Sequence, residues 1–399
     1  MRVSTSMIYD KGVGSIQQQW KNILQTQQQV STGRRVLTPA DDPIASARAL
    51  ELGQTKAVNS QFSVNIGYAD DAMKLLESRL QSAGSVLQYA RERAVQAGNG
   101  TLASEDLRYM AADMKAQFEA MLALANSQDG TGDYIFGGYR SQQQPYSGGL
   151  SGVAYNGDQG ERSIQVSASR YMAVSLPGSD VFDRTLALSP ASIKVYSSAG
   201  AAGADGPAVT AVDASAVREG TRYQFEYDAL AASYSVTRIG QDGQPVAPSP
   251  GSFAIGSTPT IDGITFDLSA TPAASPAAYE VFVPSTNLLN NMAMFAAALE
   301  KPGVSGMTGA VAFALETFDA GQESLLRTRA QIGSQLTETE ALANLGSDLD
   351  LQYATTLSGL QDVDYAEAIS RLTQQQTYLQ AAQQSFMRVS GLSLFNYLN

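Results

Sequence analysis

The sequence predicts an α+β chain: an elongated multi-helix bundle or coiled coil built from both chain ends, with a β-rich domain inserted in the middle. Three observations carry this expectation. Apolar residues near each end recur at alternating three- and four-residue spacings, which places them on one stripe of a helix. The same rhythm fills two long inner stretches. Between about Tyr134 and Pro284 it gives way to alternation and Gly-containing turns, which mark strands.

From the start, Val13, Ile16, Trp20, Ile23, Gln27 and Val30 form the first stripe, and Trp20 is expected to be buried on it. Residues 1–10 are polar and precede the helix. Gly33 suits a left-handed C-cap. Pro39 then breaks helix, Asp42 can cap the next one, and Pro43 fits its first position. Asp41 beside Asp42 reads as a dipole partner rather than half of a catalytic or metal pair.

A long second helix is predicted from Ile44 to about Gln96, striped by Phe62, Ile66, Met73, Leu76, Leu80 and Leu87. At the α-helical rise it would span roughly 75–80 Å. Gly98-Asn99-Gly100-Thr101 ends it, and Ser104 is expected to cap a third helix carrying Leu107, Met114, Phe118 and Met121. The short connection makes the two an antiparallel hairpin.

The β region is expected to open at Tyr134-Ile135-Phe136. Strands are predicted at Ser163–Val166, Ala173–Leu176, Tyr223–Tyr227, Tyr234–Arg238, Ile264–Leu268 and Tyr279–Val283. Asn156-Gly157 and Asp242-Gly243 are hairpin signals. The stretch from Ser198 to Ala214, rich in Ala, Gly and Asp, reads as loop. Asn156-Gly157-Asp158-Gln159-Gly160 has calcium-loop residue types without the spacing or closing Glu of an EF-hand, so a turn is expected.

Helix returns near Asn287 as a short amphipathic segment, stopped by Lys301-Pro302-Gly303. A further striped helix follows through Val311, Leu315, Phe318, Leu325 and Ile332, with Gln322 and Arg329 as polar interruptions. The last helix carries Ala368, Leu372, Gln375, Leu379, Ala382, Phe386 and Val389 on one stripe and continues through Leu394, Phe395 and Leu398. Asp364 can cap it, with Glu367 placed for a capping box. The expected organisation is a coiled-coil helix over 1–40, a helical bundle with a β-hairpin over 41–180, a β-rich domain over 181–285, returning helices over 286–360 and a C-terminal coiled-coil helix over 361–399. The terminal stripes leave apolar faces that need a partner. They are the candidate interaction residues.

Composition narrows the function. The 399 residues carry a net charge of −12, which argues against nucleic acid as a partner. No cysteine and no histidine occur, so thiolate catalysis, disulfides and the usual transition-metal ligands are absent. No catalytic, cofactor-binding or metal-binding residue is assigned, and no cofactor is expected. No run is long and apolar enough to span a bilayer. The opening residues lack the apolar core of a cleaved signal peptide. Residues 1–60 carry seven Lys/Arg against four Asp/Glu, and residues 285–399 carry five against eleven. The two ends therefore differ in sign, as segments lying side by side would allow.

Several blocks resemble the bacterial flagellin superfamily. They are Val30-Ser31-Thr32-Gly33-Arg34-Arg35 with Pro39-Ala40-Asp41-Asp42-Pro43, then Ala94 to Thr101, Tyr134 to Gly138, and Asp362-Val363-Asp364-Tyr365-Ala366. The opening Met1 to Tyr9 and the ending Gly391 to Leu398 are similar to members placed at the hook–filament junction rather than to filament flagellins. Ala277-Ala278 stands where those members often carry Gly-Asp. The resemblance implies a non-enzymatic extracellular adaptor, with the terminal helices in the axial core of a polymer and the β domain facing outward. It further implies ring assembly with copies of itself, contacts with hook-associated protein 1 and flagellin, and type III export. A cytosolic chaperone would hold the C-terminal helix. Two alternatives stay open: flagellin itself, or an adhesive module displayed by the β domain.

Overall fold

The structure, a computed structural model, describes residues 5–197, 206–272, 277–303 and 305–395. Six α-helices run through the described residues: α1 (Thr5–Thr32), α2 (Pro43–Ala97), α3 (Ser104–Ala125), α4 (Leu288–Glu300), α5 (Gly306–Gln361) and α6 (Tyr365–Phe395). The chain divides into two compact units, residues 1–64 with 342–399, and residues 65–341. Helices α2 and α5 contribute residues to both.

In the first unit α1 packs on α6. Helix α1 begins at Thr5, earlier than the apolar stripe announces, and ends where Gly33 adopts φ +72°. Asp42 caps α2, its Oδ1 accepting the Ala45 amide at 2.9 Å. Asp41 Oδ2 accepts the amides of Leu37 and Thr38, at 3.1 and 2.8 Å. Both carboxylates are thus engaged by the turn that starts the helix, and their pKa values fall below the ordinary range.

In the second unit Met73, Leu76, Leu80 and Leu87 of α2 are buried, as are Met114, Phe118 and Met121 of α3 and Phe318, Leu325 and Ile332 of α5. Helix α4 was expected to be amphipathic. Instead every residue from Leu288 to Leu299 is buried, because α4 is covered on all sides, and Asn290 and Asn291 spend their amides on backbone groups. Ser104 is not the cap of α3: Ala103 holds that position, and Asp106 Oδ2 accepts the Ala103 amide at 3.1 Å. The polar stripe residue Arg329 meets Glu77 of α2 at 2.6 Å.

The strands open at Tyr146 rather than Tyr134, since residues 134–139 form bridges and turns. β1 (Tyr146–Gly149) pairs with β2 (Gly152–Tyr155), and β3 (Ser163–Ser167) with β4 (Arg170–Ala173), which lies upstream of the predicted Ala173–Leu176. The first hairpin turns at residues 150–151. Asn156-Gly157 instead leads into a bend in which Asp158 Oδ1 accepts the Tyr139 and Gly160 amides, at 2.7 and 2.9 Å.

Next come β5 (Lys194–Ser197), β6 (Ala208–Val212), β7 (Thr221–Asp228), β8 (Ser233–Ile239), β9 (Gly251–Ala254), β10 (Thr260–Ile261), β11 (Ile264–Asp267) and β12 (Ala277–Val283). A five-stranded antiparallel sheet has the order β5-β12-β7-β8-β9, and a three-stranded one the order β10-β11-β6. They share a core of Tyr223, Phe225, Tyr234, Ile264, Phe266 and Val281. β6 lies where a loop was expected: Val209 and Val212 pack against this core, and pairing with β11 satisfies the backbone of the Ala-rich run.

Candidate assembly interface

Helices α1 and α6 run antiparallel. Gly12 faces Phe386 near one end of the pair, and Gly33 faces Tyr365 near the other. Both contacts keep the same register, so Ile23 comes level with Gln375. Glycine is required at both places for different reasons. A Cβ on Gly12 would stand 2.7 Å from Phe386 Cδ2, and one on Gly33 would stand 2.9 Å from the Tyr365 hydroxyl on a left-handed backbone. The Tyr9 ring adds a tilted contact with Phe386, centroids 5.0 Å apart.

Of the candidate residues on α1, Ile23 is buried, while Val13, Ile16 and Val30 are partly buried. Trp20 is 49% exposed, against the expectation of burial. The reason is a choice between two heptad readings that share Ile16, Ile23 and Val30. The second row of the seam could fall at Trp20 and Gln27, or one residue earlier. The helix takes the earlier row, which runs Gly12, Gln19, Thr26, Gly33 at seven-residue intervals. Thr26 is buried, Gln19 partly so and Gln27 exposed. Small and polar residues let α6 approach closely, and this rotation turns the indole outward.

On α6, Ala368 and Leu379 are buried and Leu372, Gln375, Ala382 and Phe386 partly buried, in the predicted four-three spacing. Val389, Leu394 and Phe395 lie on α6, and Leu398 lies outside the described residues. Gln375 buries its amide oxygen without a hydrogen-bonding partner, so one layer of this seam is imperfect. Gly12, Gln19 and Thr26 are the seam residues that hydropathy alone does not point to. Their signal is the spacing from Gly12 to Gly33.

The ends of these helices are tied by backbone. The Arg35 amide donates to Gln361 O at 2.7 Å and the Val363 amide to Gly33 O at 2.9 Å. The Arg35 guanidinium donates to Leu360 O at 2.7 Å and pairs with Asp42 at 3.2 Å. Asp364 Oδ1 caps α6 through the Ala366 and Glu367 amides, at 2.9 and 3.1 Å. The Glu367 carboxylate reaches forward to Arg371 rather than back into a capping box. Beside this tie lies a groove of about 560 Å³, lined by Leu37, Pro39, Ala49, Leu50, Ala57 and Gln361 among others. Trp20 and Leu24 on α1, Ile44 and Leu50 on α2, and Ile369 and Tyr378 on α6 are exposed. These exposed apolar side chains on α1, α2 and α6 are candidates for contact with other chains. Among the described residues no group of His, Cys, Asp and Glu could hold a metal ion, and no helix is long and apolar enough to cross a membrane.

The chain is 31% identical over 398 residues to flagellar hook-associated protein 3 of Escherichia coli strain K12, covering 99% of each chain. The chain belongs to the flagellar hook-associated protein 3 family. The family member from Salmonella typhimurium is 29% identical over 397 residues, again with 99% of each chain covered. Residues 3–141 also match the bacterial flagellin N-terminal helical region. A flagellin of Listeria monocytogenes matches less of it, 26% identical over 113 residues, 28% of this chain. The crystal structure of Xanthomonas campestris FlgL shares the fold, with a TM-score of 0.54 at 23% identity over 77% of this chain and 99% of that one. The hook-associated protein 3 structure from Legionella pneumophila does so with a TM-score of 0.52 at 24% identity, over 77% and 98%. Family membership sets this chain in a flagellar context, and the α1–α6 pair is its candidate assembly element.

Proposed function

We propose that this chain is a non-enzymatic structural adaptor joining the flagellar hook to the flagellin filament. The full-length match to hook-associated protein 3 carries the reading, because it spans the terminal helices and the β-rich middle alike. A flagellin would be expected to match over more than the short segment seen with Listeria. The terminal stripes, Val13, Ile16, Ile23 and Val30 with Ala368, Leu372, Leu379, Ala382 and Phe386, form the seam that sets α1 on α6. The exposed Trp20 and its neighbours then meet adjoining subunits. The partners are further copies in a ring, hook-associated protein 1 on one side and flagellin on the other.

The subunit is extracellular and reaches its place through the flagellar type III export apparatus. A cytosolic chaperone covers the C-terminal helix beforehand. An imperfect seam suits this route, since a segment of low stability threads a channel more readily and orders when it docks. The β-rich region faces outward. Deletion in the source bacterium tests the reading: hooks should remain while flagellin spills into the medium. Normal filaments in the deletion strain would overturn it.

A further inference from the structure

The sequence holds two Asn-Gly pairs, Asn99-Gly100 and Asn156-Gly157, and the fold treats them differently. In such a pair the glycine amide nitrogen reaches the asparagine side-chain carbon with least hindrance, since no Cβ stands in its way. How freely it does so depends on how the pair is held.

Asn99 and Gly100 lie exposed in the turn between α2 and α3. The Asn99 amide donates to Gln96 O at 3.1 Å, and Asn99 O accepts the Leu102 amide at 3.2 Å. The turn is thus closed around Gly100 without using the Gly100 amide. Among the described residues nothing accepts from that amide or from Asn99 Nδ2. Asn99 Oδ1, in contrast, accepts both the hydroxyl and the amide of Thr101, at 3.0 and 3.3 Å. Nucleophile and leaving group are therefore unencumbered, and two donors stand on the oxygen where charge collects during addition to Cγ.

Asn156-Gly157 is held shut. Asn156 Nδ2 donates to Ser147 Oγ on β1 at 2.7 Å, and the Asn156 amide donates to Pro145 O at 2.7 Å. Gly157 packs against the Tyr155 ring. That ring is fixed in turn, its hydroxyl donating to Phe136 O and Asp158 O at 3.0 and 2.7 Å.

We propose that Asn99 is a self-modifying site, at which the Gly100 nitrogen closes on Asn99 Cγ and the side-chain amide becomes a carboxylate. The bond from Gly100 N to Cγ forms as the bond from Cγ to Nδ2 breaks. The Gly100 amide proton passes to the departing Nδ2, which leaves as ammonia. Water then opens the cyclic imide. Attack at Cγ gives aspartate, and attack at the Asn99 main-chain carbonyl carbon gives isoaspartate. Nothing is oxidised or reduced, and water is the co-reactant. Either product puts a negative charge just beyond the C-terminus of α2, where the helix dipole disfavours it. Isoaspartate also lengthens the backbone of the turn, so the α2–α3 connection loosens with age. This inference does not depend on the flagellar assignment.

Peptide mapping by mass spectrometry tests it on the folded full-length protein, incubated in mildly alkaline oxygen-18 water. Asn99 should take up the label as a mixture of aspartate and isoaspartate, about tenfold or more faster than Asn156. In the urea-unfolded chain the two pairs should react at similar rates. Gly100→Ala should fold, since a Cβ there meets nothing within 4 Å. It should slow the reaction at Asn99 by about tenfold or more, because the new Cβ crowds the attacking nitrogen. An Asn99 no faster than Asn156 in the folded protein overturns the site. So does a rate unchanged by Gly100→Ala, or a difference between the pairs that persists undiminished in urea.

Discussion

The Phe386 ring occupies the space that a Cβ on Gly12 would need, with Cδ2 2.7 Å from that position. This contact fixes the rotation and register of α1 against α6. Gly14, two residues on, has nothing within 4 Å of its Cβ position. The two glycines should therefore respond oppositely to alanine. Gly14→Ala should stabilise the pair by about 1 kcal/mol through helix propensity. Gly12→Ala carries the same gain against an overpacking cost of roughly 1–3 kcal/mol, and should weaken it. In a Phe386→Ala background Gly12→Ala should become stabilising, as amide protection of α1 would report. A Gly12→Ala effect of unchanged sign in that background would show that the ring is not what the glycine accommodates.

Much of this fold is legible in the sequence because its signals are local. Pro43 and Asn287 mark helix starts that the structure keeps, and the stripe from Ala368 to Phe386 faces α1 in the spacing read from the chain. What escapes is set by contact between distant segments. Hydropathy favours Trp20 for the seam, whereas close approach of α6 favours the row from Gly12 to Gly33. The β6 run Ala208–Val212 looks like loop until β11 supplies its hydrogen bonds. The hydrogen bond from Asn287 Nδ2 to Asp183 Oδ1 joins residues 104 apart in the chain, and no local pattern announces it.

The Gln375 layer gives a second prediction. Its amide oxygen is buried without a partner, level with Ile23. Gln375→Leu removes that unmet group and should stabilise the α1–α6 pair by about 1–3 kcal/mol. Amide protection of residues 15–30 measures it. A loss of protection would mean that the glutamine sets the register of the pair rather than merely weakening it.

The start of α2 should be sensitive to acid. The Ala45 amide, and after it Arg35, lower the Asp42 pKa, and the Thr38 amide leads the lowering of Asp41. Both folded values lie below the ordinary 3.8, so the folded state binds fewer protons than the unfolded one. The contribution is present above that value and is lost as pH falls through the folded pKa. Exchange at Ala45, corrected for intrinsic rate, should accelerate on acidification below about pH 4. Asp42→Asn caps without a charge and should flatten the Asp42 part of that response. An Ala45 profile unchanged by Asp42→Asn would remove Asp42 as its source.

Arg222 and Glu280 test how the large sheet is held to the helices. Their 3.1 Å ion pair joins neighbouring strands β7 and β12, with side chains only 3% and 0% exposed. Glu280 also accepts the Ser305 amide at 3.2 Å and the Ser305 hydroxyl, just ahead of α5. Phe282 stacks on Phe313 of α5 at 5.1 Å beside it. Arg222 pays heavily for desolvation, which lowers its pKa despite the neighbouring carboxylate. Removing one partner leaves the other charge buried and unmatched, so Glu280→Leu or Arg222→Met alone should cost about 3–5 kcal/mol in thermal unfolding. Replacing both removes the two desolvation penalties together, and should cost far less than the sum of the single changes. The bonds to Ser305 set the remaining loss, so Arg222→Met/Glu280→Leu should stay below the native protein by about 1–3 kcal/mol. If the double variant lost as much as the two single changes summed, the pair would contribute no coupling, and the hold on α5 would rest on the Phe282–Phe313 contact instead.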